Sequence, residues 1–121
     1  VLVDRKSEQS RKNSLSRMKD VLEMGLDMCI YPEGTRNKTK EPLQRFHDGA
    51  FRLAIDTNKP IMPAVIFYTA EVLPRNKAFY FWPRKVEMHF LKPIEPGTSV
   101  EDLRNTTFEI MKAYYVANNH Q

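Results

Sequence analysis

The chain has 121 residues, 41% hydrophobic and 28% charged, with 19 Lys and Arg against 15 Asp and Glu and a formal charge of +4. That balance excludes wholesale disorder and suits one domain, or part of one, with a substantial core. The positive charge fits an anionic partner such as phosphate, nucleic acid or a lipid surface, without choosing among them.

Val1 to Val3 reads as the tail of a strand that ends at Asp4-Arg5-Lys6. The chain opens inside this apolar run with no methionine, so a missing N-terminal portion is expected. Residues 11–24 read as a helix, with Leu15, Met18, Val21 and Leu22 at three- and four-residue spacing and Gly25 as the stop. Leu26 to Tyr31 reads as a short apolar strand, and Pro32 to Phe46 as a charged loop. A helix is expected over 48–57, with Asp48 as N-cap and Phe51, Leu53, Ala54 and Ile55 on its apolar side.

After Asn58-Lys59-Pro60, the run "IMPAVIFY" reads as a strand buried on both faces. "AFYFWP" is an edge strand or an exposed aromatic ridge. "KVEMHFLKP" alternates, with Val86, Met88 and Phe90 on one side and Glu87 and His89 on the other. Ser99 and Asp102 form a capping box for a last helix to about residue 116, with Leu103, Ile110, Met111 and Tyr114 as its core stripe. The alternation of strand and helix implies an α/β fold: a mostly parallel or mixed sheet flanked by helices, with right-handed crossovers.

In such a sheet, ligands bind at the carboxyl ends of the strands. Two polar clusters fall there: Asp4-Arg5-Lys6, and Glu33-Gly34-Thr35-Arg36 within "YPEGTR". If the two strands are neighbours, Arg5 and Arg36 converge on one anion, each offering a planar fork of donors matched to phosphate oxygens. Gly34 admits close backbone approach and an N–H, and Thr35 adds a hydroxyl. Glu33 repels phosphate, so it is expected to orient an arginine or accept from a ligand hydroxyl. The residues alone leave a second reading open, in which Pro-Glu-Gly-Thr is a β-turn and Arg36 is solvated.

Other chemistry finds less support. His47, His89 and His120 lie far apart beside a lone Cys29, so no metal site is expected. The single cysteine forms no internal disulfide and fits a reducing compartment. "RNKTK" lacks the accompanying signatures of nucleic-acid binding, and no apolar run approaches the roughly 18–20 residues of a membrane span. Phe79 to Trp82 suits either core packing or a membrane interface.

"YPEGTR" resembles the Phe-Pro-Glu-Gly-Thr-Arg block of the glycerolipid acyltransferases, best known from the 1-acylglycerol-3-phosphate O-acyltransferases. "VLVDRKS" resembles the preceding block of that family, a strand ending in a phosphate-binding arginine, here Arg5. "RFHDGAF" is similar to its Phe-Lys-x-Gly-Ala-Phe segment, with His47 in place of the lysine, and "KPIMPAVI" to its last block. The resemblance runs in order through residues 1–67.

It implies a glycerol-3-phosphate acyltransferase-like fold, incomplete here, with residues 1–121 as the C-terminal part of a single domain. The implied reaction moves a fatty acyl group from an acyl thioester, acyl-CoA or acyl carrier protein, to 1-acylglycerol-3-phosphate, giving phosphatidic acid. No cofactor beyond that co-substrate is expected. The implied partners are the thioester, a lysophospholipid acceptor and a membrane surface, with no nucleic acid. The implied location is the cytoplasmic side of a membrane, peripheral or anchored by the missing N-terminal region. Arg5, Glu33, Gly34, Thr35 and Arg36 carry over as the acceptor-phosphate site.

The family's catalytic histidine and aspartate lie in an upstream Asn-His-x-x-x-x-Asp block, which these 121 residues lack. No catalytic residue carries over, and the chain alone is expected to be inactive. Two rivals remain: an acyltransferase for glycerol 3-phosphate or another lyso-lipid, and a non-catalytic module for anion or membrane-surface binding.

Overall fold

The computed structural model describes residues 8–35, 37–69 and 85–119. Helix α1 spans Glu8–Glu23, α2 spans Gly49–Thr57 and α3 spans Val100–Asn118. Strands β1, Ala64–Phe67, and β2, Glu87–Phe90, form an antiparallel pair with Val65 opposite His89 and Phe67 opposite Glu87. An isolated antiparallel bridge between Ile61 and Ile94 continues the pairing, its two N–H···O bonds 2.9 and 2.7 Å long. α1 packs on α2, α2 on α3, and α3 on β1.

The core lies where these elements meet. Phe46, Phe51, Ala54, Val65, Phe67, Leu103 and Met111 form one buried cluster, with Phe67 stacked on Tyr115 at 5.3 Å between centroids. On β1 only Val65 and Phe67 are buried, because α3 covers one face of the pair. The strand expected to be buried on both faces is therefore half-covered. On β2, Glu87 and His89 face inward while Met88 and Phe90 stay exposed, Phe90 at 66%.

His89 links the layers: Nδ1 lies 2.7 Å from the Tyr114 hydroxyl and Nε2 lies 3.1 Å from Glu87. Glu87 also meets Lys85 at 2.8 Å, and the Lys85 hydrogen bond, then that of His89, holds its carboxyl below the ordinary range.

Several expectations need correction. Leu26 to Tyr31 joins no ladder among the described residues, and Leu26 and Tyr31 are exposed. A strand needs a neighbour to take its backbone groups, and apolar composition alone does not supply one. Among the described residues the sheet is the antiparallel pair β1–β2, where a mostly parallel or mixed sheet was expected. The strand expected at 1–3 and the aromatic segment at 79–82 lie outside the described residues. The α/β class stands as helices packed on a small antiparallel sheet.

In α3, Ser99 accepts the Asp102 N–H at 3.3 Å, as the capping box requires. Its core stripe is Leu103, Thr107 and Met111, with Ile110 turned outward. Thr107 is tolerated in this stripe because its hydroxyl donates to the Leu103 carbonyl at 2.8 Å. Asn58 closes α2 in the left-handed conformation, φ 50°, while the Lys59 N–H reaches the Ala54 carbonyl at 3.0 Å.

Candidate functional site

Tyr31-Pro32-Glu33-Gly34 is a β-turn, closed by the Gly34 N–H donating to the Tyr31 carbonyl at 3.0 Å. Proline presets the second turn position, and Gly34 then takes φ +70°, a conformation costly for any residue with a Cβ. The turn is tied to the far end of its own loop. The His47 N–H donates to the Pro32 carbonyl at 2.8 Å, and the Gln44 N–H to Glu33 Oε2 at 2.9 Å.

Glu33 is half-buried by this arrangement, which pushes its carboxyl up, while the Gln44 N–H opposes the shift. One of its carboxylate oxygens, Oε2, holds the loop's own backbone through the Gln44 N–H. The Gly34 N–H expected to face a phosphate closes the turn instead, so the glycine's contribution is shape. Thr35 is exposed. Arg5 and Arg36, both expected in the site, lie outside the described residues.

Between the two tied ends, the basic stretch folds on itself. Asn37 Oδ1 accepts from the Thr39 N–H at 2.8 Å and from its hydroxyl at 2.7 Å, and Asn37 Nδ2 donates to the Glu41 carbonyl at 2.9 Å. These local bonds define an Asx-type turn and leave Lys38 and Lys40 exposed.

Phe46 anchors the loop to the core. It is 2% exposed, stacked near Phe51 at 6.0 Å and edge-on to Phe108 at 5.1 Å. Asp48 on the other side of His47 pairs with Arg104 of α3. Asp48 occupies the N-cap position expected of it, its carbonyl accepting the Arg52 N–H at 2.9 Å, while its carboxylate pairs with Arg104 and makes no capping bond to α2.

His47 itself is exposed, with its ring against Gly34. A Cβ added at Gly34 would sit 3.0 Å from His47 Cδ2 and 3.4 Å from Nε2. The sequence marks His47 only by its place in "RFHDGAF". Its contact with residue 34 depends on the fold of the loop, which spacing does not reveal.

The family model described as "Acyltransferase" matches residues 1–67. The chain belongs to the acyltransferase family. It is 29% identical over 115 residues to a 1-acyl-sn-glycerol-3-phosphate acyltransferase of Cocos nucifera, covering 94% of this chain and 37% of that protein. A Haemophilus influenzae protein of the same name is 30% identical over 104 residues, 84% of this chain and 41% of its own length. The crystal structure of the 1-acyl-sn-glycerophosphate acyltransferase PlsC from Thermotoga maritima aligns with a TM-score of 0.76 at 24% identity. That alignment covers 96% of this chain and 46% of the other. The chain thus spans less than half the length of these acyltransferases. The likeness to PlsC shows a shared fold, and the described helices and antiparallel pair are part of it. Among the described residues, no helix is long and apolar enough to cross a membrane.

Proposed function

We propose that this chain is the acceptor-binding part of an acyltransferase that moves a fatty acyl group from a thioester to 1-acylglycerol-3-phosphate. The observation that carries the reading is the ordered run of motif segments within the family match at residues 1–67, shared with relatives named for that reaction. The thioester is acyl-CoA or acyl carrier protein, no other cofactor takes part, and the product is phosphatidic acid. The work takes place on the cytoplasmic side of a membrane, whose anionic lipids suit a chain of charge +4.

Within the site, Arg5 and Arg36 grip the acceptor phosphate, each as a planar fork. Gly34 shapes the turn, Thr35 adds a hydroxyl donor, and Glu33 fixes the loop through Gln44. The general base that takes the acceptor's proton belongs to an Asn-His-x-x-x-x-Asp block, which these residues do not contain. Its loss typically costs about 10²–10⁴-fold in rate, so the 121-residue chain alone transfers no acyl group.

Steady-state kinetics in an acyltransferase of full family length, with this chain as its C-terminal part, test the assignment. Arg36→Ala lowers kcat/KM for the phosphorylated acceptor and leaves the thioester's KM nearly unchanged, because the lost contact touches one substrate. Arg36→Lys recovers part of the loss, keeping charge without the fork. Wild-type acceptor dependence in Arg36→Ala would reduce "PEGTR" to a turn.

A further inference from the structure

We draw no further inference here: the strongest candidate, the outward face of the β1–β2 pair where Met88 and Phe90 stand exposed, carries nothing, because nothing in the structure shows what covers it.

Discussion

Phe46 and His47 are neighbours in sequence and belong to two regions built in different ways. The α2–β1–α3 core is held by apolar contact: Phe46, Phe51, Val65, Phe67, Leu103 and Met111 exclude water together. The loop from Tyr31 to His47 is held by cross-bonds, two of which run from Gln44 and His47 back to Glu33 and Pro32. Each such bond contributes a net ~1 kcal/mol, against several for a buried aromatic ring. The loop's geometry is local, but its position is inherited from the core through Phe46.

The largest effect that would break this division is Phe46→Ala. A fully buried phenylalanine truncated to alanine costs about 3–5 kcal/mol, a large part of a small domain's stability. Phe51→Ala removes a ring of similar burial and costs a similar amount, yet leaves the anchor in place. Hydrogen exchange separates the two. In Phe46→Ala, or in the gentler Phe46→Leu, the Gln44 and His47 amides should exchange faster than the core helices. If those amides follow only global unfolding in both variants, the loop has no separate anchor and the two regions are one.

Gly34→Ala comes next and acts within the loop. A left-handed backbone at a non-glycine residue costs roughly 1–2 kcal/mol, and the 3.0 Å approach to His47 adds to that. Gly25 has φ +86° with open space around it, so Gly25→Ala measures the backbone cost by itself. The excess at Gly34 reads the imidazole contact. The Gly34→Ala/His47→Ala double variant should recover the excess, and denaturant melts of the four proteins check it. Equal losses at Gly25 and Gly34 would mean that the ring swings aside freely.

The same division explains what the sequence discloses. Helices α1, α2 and α3 are legible because their apolar residues recur at three and four and their ends carry Gly25, Asn58 and Ser99. The β1 segment is legible as an apolar run, but its antiparallel partner is not, since pairing is a long-range property. Alternation on β2 correctly separates Met88 and Phe90 from Glu87 and His89, yet does not reveal that the polar pair faces inward. That placement depends on Tyr114 of α3 meeting the His89 ring. Apolar composition alone marks Leu26 to Tyr31 as a strand, and the described structure gives it no ladder. Within the site, the motif locates Glu33, Gly34 and Thr35, whereas the bonds that fix Glu33 and Gly34 come from Gln44 and Tyr31, and the ring of His47 lies beside residue 34.

The smallest effect concerns Glu33, where burial and a hydrogen bond pull in opposite directions. Burial is the larger influence and raises the carboxyl's pKa, while the Gln44 N–H lowers it. A raised folded-state pKa means that the folded chain binds this proton more tightly than the unfolded chain. The resulting stability is complete below the unfolded carboxyl range, near pH ~4, and is lost as pH rises through the folded value. At neutral pH, Glu33 therefore retains the cost of a half-buried charge. Glu33→Gln removes the charge but keeps a side-chain oxygen to accept the Gln44 N–H. It should leave stability at pH 7 equal to wild type or higher, by no more than about 0.5 kcal/mol. The gap should shrink toward pH 3.5, where wild-type Glu33 is protonated as well. Urea melts of both proteins at the two pH values decide the sign. A variant less stable than wild type at pH 7, with the deficit fading in acid, would show that the charged bond to Gln44 outweighs burial. The turn and the far end of its loop would then be joined by charge as well as by backbone.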